Sequence, residues 1–130
     1  MTDKITILIV DDEIVSRYTL EALLEDENHT LFFAEDGQQG LDKAKTLTPD
    51  LVLLDVMMPG MNGFEVCKHL RADPQLAKTP VIMVTAWDDP TARARCLEMG
   101  ANEVICKPFN REDLRKHLSS LIDSASNDNA

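Results

Sequence analysis

Positive charge is scarce in this sequence of 130 residues: 13 lysines and arginines face 23 aspartates and glutamates, a net charge of −10. Such a balance repels nucleic-acid phosphates and anionic membranes, so neither is an expected partner; a basic protein patch or a bound cation is not excluded. Cysteine is scarce too. Cys67, Cys96 and Cys106 are odd in number, widely spaced and outside any CxxC, which argues against a disulfide framework or a zinc site and suits a reducing, cytoplasmic setting. No apolar run approaches the ~20 residues that a membrane-spanning helix needs. The opening Met-Thr-Asp-Lys has no apolar core of the kind a signal peptide requires. His29, His69 and His117 lack metal-ligand spacing and are expected at the surface. There is no internal repeat, low-complexity segment or interdomain linker, and the length suits one domain with one core.

Four segments read as buried strands: Ile5 to Val10, Leu51 to Leu54, Val81 to Val84 and Val104 to Cys106. Each is short, almost continuously apolar and rich in Val, Ile or Leu, the pattern of a parallel sheet covered on both faces. A weaker fifth, Thr30 to Ala34, suits an edge. Helical spacing places Leu20 with Leu23 and Leu24, Leu41 with Ala44, Phe64 with Cys67 and Leu70, and Leu114 with Leu118 and Leu121. Strand and helix alternate five times, which implies an α/β fold of parallel strands with helices on both faces. Asn62-Gly63 marks a turn before Phe64, and Gly100 is a candidate helix C-cap. The small polar residues 124–130 read as a tail beyond a domain over 1–123.

Ligands of open α/β sheets bind beyond the carboxyl ends of the strands. Asp11 and Asp12 follow the first strand, Asp55 the third, Thr85 the fourth and Lys107 the fifth. If the first and third strands are neighbours, three carboxylates converge. Two unit charges ~4 Å apart repel by about 4 kcal/mol at an effective dielectric near 20, so a compensating hard cation such as Mg²⁺ is expected. A metal, a carboxylate nucleophile, a cation and a hydroxyl donor are what phosphoryl transfer to a carboxylate requires. Each residue alone has a plainer reading: an N-cap, a strand end, a β-branched strand residue, a loop lysine. All of them together at four strand ends are improbable by chance.

The segments ILIVDDE, LVLLDVMMPGMNGFEV, VIMVTA and CKPF resemble the response regulator receiver domain of two-component signalling, over about Lys4 to Ile122. The resemblance implies a flavodoxin-like doubly wound sheet in the order 2-1-3-4-5. It implies that Asp55 accepts a phosphoryl group from a sensor histidine kinase or phosphotransfer protein and that a downstream protein reads the result. Asp11, Asp12, Asp55 and the backbone carbonyl of Met57 would hold Mg²⁺ or Mn²⁺. Lys107, Thr85 and the Ala86 N–H would bind the phosphoryl oxygens, and the Lys107–Pro108 peptide would be cis. Such a domain is a phosphoacceptor switch that promotes its own phosphorylation and dephosphorylation, not an enzyme acting on other substrates.

Three positions depart from the family pattern. Val104 stands where an aromatic is usual, while Asn102 and His117 replace an acidic residue and an arginine found in receivers that pair through their last helices. A phosphatase of the haloacid dehalogenase type would need an aspartate general acid at Met57. A degenerate receiver would lack one of the site residues. A flavodoxin-like electron carrier would need a phosphate loop after the first strand. None of these conditions is met. Met57 and Trp87, two residues beyond Asp55 and Thr85, are expected to flank the site; Trp87 either shields the phosphoryl group, packs on its loop or awaits a partner.

Overall fold

The computed structural model describes residues 5–25, 29–86 and 89–128, the backbone alone for 122–128. Five strands, β1 (Ile5–Val10), β2 (His29–Ala34), β3 (Leu51–Asp55), β4 (Val81–Thr85) and β5 (Glu103–Cys106), alternate with five helices, α1 (Ile14–Leu24), α2 (Gly37–Leu47), α3 (Gly63–Ala72), α4 (Pro90–Glu98) and α5 (Arg111–Asp128). All strand pairs are parallel, in the order β2-β1-β3-β4-β5. The order expected from the resemblance is the order observed.

Alternation of side chains across the sheet divides the core in two. Ile7, Ile9, Leu53, Ile82 and Val84 point toward Leu20 and Leu24 of α1 and Leu114 and Leu118 of α5. Leu8, Val10, Leu54 and Met83 point toward Leu41 of α2, Phe64, Cys67 and Leu70 of α3 and Cys96 of α4. The central strands β3 and β4 are buried at every residue, whereas β2, the edge, is buried only at Ala34. Hence the central strands are continuous apolar runs and the edge is a weak signal.

Four strands are each one residue longer than the sequence reading made them: β2 and β5 begin earlier, at His29 and Glu103, and β3 and β4 end later. Asp55 and Thr85 close β3 and β4 rather than follow them, because Val56 N–H donates to the Val84 carbonyl at 3.1 Å and Lys107 N–H to that of Thr85 at 2.8 Å, carrying the ladder one residue further. Helix α5 also continues past 123 into the segment read as a tail: Ser-Ala-Ser-Asn-Asp contains neither Pro nor Gly to stop it. No described helix is long and apolar enough to cross a membrane.

Helix ends follow local chemistry. Asn62 caps α3 in a reciprocal capping box with Glu65. Gly100, at φ +106°, closes α4 with the paired bonds Gly100 N–H to Leu97 and Ala101 N–H to Cys96.

Arg71, at the end of α3, ties the amino-terminal ends of β4 and β5 together. Its guanidinium donates to the carbonyls of Gly100, Ala77 and Thr79 and to Asn102 Oδ1, at 2.8–3.1 Å. Asn102 Oδ1 also accepts from Val81 N–H. Asn102, one of the departures from the family pattern, is thus engaged within the fold. His117 is not simply a surface residue, since its Nδ1 meets Glu103 Oε2 between α5 and β5. Arg71→Met keeps the aliphatic stem but strands several carbonyls, so it is expected to lower stability by about 2 kcal/mol. A denaturant midpoint equal to that of the wild type would contradict the clamp.

Candidate functional site

The register of the parallel strands assembles the site. Val10 pairs with Leu54, Asp55 with Val84 and Thr85 with Cys106. Asp11, Asp55, Thr85 and Lys107 therefore sit side by side at one edge of the sheet, as the sequence predicted. Among the described residues, Asp11, Asp55 and Thr85 are the only buried polar or charged ones. Burying polar groups in a sheet otherwise walled by aliphatic side chains costs free energy.

Oxygens of Asp11, Asp12 and Asp55 lie within 4.8 Å of one another. Lys107 Nζ is 3.8 Å from Asp55 Oδ1 and 4.0 Å from Asp11 Oδ2, within ion-pair range but too far for hydrogen bonds. Asp11 Oδ2 and Asp12 Oδ1 are buried atoms with no hydrogen-bond partner. Three carboxylates face one ammonium group and two buried oxygens are orphaned, so the set fits a hard cation with oxygen ligands.

The electrostatics point the same way. Burial, followed by the neighbouring Asp11 charge, pushes the Asp55 carboxyl up from 3.8 to about 6, against Lys107 and the Met57 N–H, which favour the carboxylate. Asp11 is also raised, first by burial, although the Glu13 N–H bonds its carboxylate.

Of the remaining predicted residues, Ala86 follows β4 on an exposed bend and Met57 is 56% exposed just beyond Asp55. The Lys107–Pro108 peptide is cis. Val104 is buried in the core on the α4 side of the sheet rather than placed as a surface reporter. Trp87 lies outside the described residues.

Two supporting residues escaped the sequence reading. Arg17, one turn into α1, donates to the Asp11 carbonyl, and Gly63 packs its Cα against the backbone of Asp55 and Val56. A signal for the first was present: Arg17 is the single basic residue of α1. Beside the site, Val15, Leu20, Pro108 and Phe109 help line a largely apolar groove of about 250 Å³ that reaches Lys107.

Comparison with known proteins agrees with this geometry. The response regulator receiver domain family matches residues 7–119. Protein PilH of Pseudomonas aeruginosa is 38% identical over 116 residues, covering 89% of this chain and 96% of PilH. Transcriptional regulatory protein ResD of Bacillus subtilis is 38% identical over 96% of this chain but 51% of ResD, so the chain spans about half of that relative. Among solved structures, the chemotaxis protein CheY4 of Vibrio cholerae superposes with a TM-score of 0.85 at 35% identity, over 91% of this chain and 98% of CheY4. The receiver domain of sensor histidine kinase PA1611 from Pseudomonas aeruginosa, with a magnesium ion coordinated in its active-site cleft, gives a TM-score of 0.85 at 29% identity, over 92% and 98% of the two chains.

Proposed function

Because the chain belongs to the response regulator receiver domain family, whose members are phosphorylation-activated switches, we propose that Asp55 is its phosphoacceptor and that Asp11, Asp12, Asp55 and the Met57 carbonyl hold the Mg²⁺ or Mn²⁺ the reaction needs. The observation that carries this reading is the convergence of the buried polar residues at one sheet edge, together with two buried carboxylate oxygens that have no hydrogen-bond partner. Such a cation, when bound, neutralises the carboxylates and the phosphoryl oxygens.

Each residue of the chain then has a task. An Asp55 oxygen attacks the phosphorus of a phosphohistidine; the P–O bond forms as the P–N bond breaks, and the electron pair leaves with the imidazole. Lys107, 3.8 Å from Asp55, is within reach of a phosphoryl oxygen. The Thr85 hydroxyl and the Ala86 N–H donate to the others, so the charge developed in transfer meets fixed donors. Hydrolysis of the acyl phosphate at the same site ends the signal. The donor is a sensor histidine kinase or phosphotransfer protein of the cytoplasm; a groove beside Lys107 and the exposed apolar Ile14, Val15 and Tyr18 on α1 suit a protein donor. Met57, at the position of the general acid in a dehalogenase-type phosphatase, cannot transfer a proton, which disfavours turnover of phosphate esters.

Incubation with Mg²⁺ and acetyl phosphate, followed by intact mass, tests the proposal. The protein is expected to gain one phosphoryl group, to fail to do so in EDTA, and to lose the group once the donor is removed. No gain of mass with donor and Mg²⁺ present would overturn it.

A further inference from the structure

The polar atoms of Asp11 are almost all committed to holding it still. Its N–H donates to the Ala34 carbonyl in β2 at 3.1 Å, and its Oδ1 accepts from the Glu13 N–H at 2.9 Å. Its carbonyl lies beyond Val10, the last residue of β1 in register with β2 and β3. There the guanidinium of Arg17 donates to it at 2.6 Å. Only Asp11 Oδ2 is left without a hydrogen bond, facing Lys107.

On its other side Arg17 faces the exposed carboxylate of Glu35. Its NH2 nitrogen lies 3.9 Å from Glu35 Oε1, beyond the end of β2, and its side chain is only 14% exposed. The guanidinium thus spans two loops at the carboxyl edge of the sheet. The carbonyl it grips belongs to the peptide unit that joins Asp11 to Asp12. Because the peptide is planar, a bond to its carbonyl restrains the two torsions on either side, ψ of Asp11 and φ of Asp12, which set how the two residues are oriented relative to each other.

Resting on the reading of Asp11, Asp12 and Asp55 as the metal and phosphoryl site, we propose that Arg17 is a positioning residue for it: by gripping the Asp11 carbonyl, with Glu35 behind it, Arg17 fixes the Asp11–Asp12 peptide and aims both carboxylates at the cation. Partners of metal ligands act in this way, and their loss typically costs about 10–100-fold in metal affinity. Electrostatics alone predicts the opposite sign. A positive charge near a cation site repels the cation, so removing it would tighten binding.

That difference in sign makes the test decisive. Mg²⁺ affinity is measured by titration calorimetry on the intact protein, with melting curves in parallel. Arg17→Gln is expected to bind Mg²⁺ about tenfold more weakly, and to be phosphorylated by acetyl phosphate more slowly at low Mg²⁺ with much of the rate regained at saturation. Arg17→Lys, which keeps the charge and one donor, is expected to fall between that variant and the wild type. Unchanged or tighter Mg²⁺ binding by folded Arg17→Gln, with only its melting temperature lowered, would reduce Arg17 to a structural residue and overturn the proposal. Should Arg17→Gln not fold, wild-type affinity in Arg17→Lys overturns it equally. Failure of the wild type itself to bind Mg²⁺ would instead overturn the underlying reading of the site.

Discussion

Asp55→Asn is expected to take up no phosphoryl group from acetyl phosphate and Mg²⁺, and yet to be more stable than the wild type at neutral pH when metal is removed. The first effect follows from chemistry: an amide keeps the shape of the carboxylate but is not a competent nucleophile. The second follows from linkage. Burial and Asp11 raise the Asp55 carboxyl from 3.8 to about 6, so the folded state binds its proton more tightly than the unfolded chain does. A group shifted in this direction stabilises the fold below about pH 4 and withdraws that contribution as the pH rises to about 6, leaving the neutral apo protein burdened by on the order of 3 kcal/mol. Asp11, raised in the same direction, adds a slope of the same sign. Asn at 55 never ionises, so its part of the slope vanishes. Melting curves from pH 4 to 8 in EDTA read the slope. A variant less stable than the wild type at pH 7, or one phosphorylated at the wild-type rate, would refute the assignment. Adding Mg²⁺ should restore stability to the wild type more than to the variant, because only a ligand bound preferentially to the fold shifts its stability.

Gly63→Ala is expected to cost about 3 kcal/mol and to slow phosphorylation, although it adds a single methyl group. At residue 63 a Cβ would lie 2.4 Å from the Asp55 carbonyl oxygen, 2.8 Å from Val56 Cα and 3.1 Å from the Asp55 carbonyl carbon. All three are backbone atoms, so no side chain can swing aside. Either α3 withdraws, breaking the 2.9 Å bond from Gly63 N–H to the Val56 carbonyl, or the end of β3 moves and takes Asp55 with it. A displacement of ~1 Å at a reacting group can cost roughly 10²-fold in rate. Gly60→Ala is the control: that residue has φ +75° but nothing within 4 Å, so it carries only backbone strain, about 1–2 kcal/mol, with no push on Asp55. Equal stability of the two variants would show that the close approach at Gly63 is not a constraint.

Much of this architecture was legible in the sequence for physical reasons. The central strands lie between two layers of helices, so Leu51–Asp55 and Val81–Thr85 are nearly pure aliphatic runs. Asp11, Asp55 and Lys107 stood out because charged residues directly after such runs must be placed at the sheet's edge. Strand ends were misjudged by one residue because ladder bonds to Val56 and Lys107 depend on the neighbouring strand. The face of α4 could not be read, since only Ala92 and Cys96 of that helix are buried. Arg17, Gly63 and Arg71 act across loops, on partners that no local period connects; Arg71 and Gly100 are 29 residues apart.

The helices are also unequally fastened. α3 commits Phe64, Val66, Cys67 and Leu70 to the interior, whereas α4 commits two small side chains and rests partly on the Arg95 guanidinium lying 4.8 Å above the Phe64 ring. Mechanically, α3 is a wall and α4 a panel hung on few pins. Tilting the panel uncovers little apolar surface, and a cation over a ring face tolerates sliding better than interlocked aliphatic chains do. Compliance is therefore concentrated at the β5 end of the sheet face that α3 and α4 share, where α4 lies against β5, the strand paired with the one that ends in Thr85, so a strain arising at that end meets its softest neighbour in α4 while α3 holds its shape.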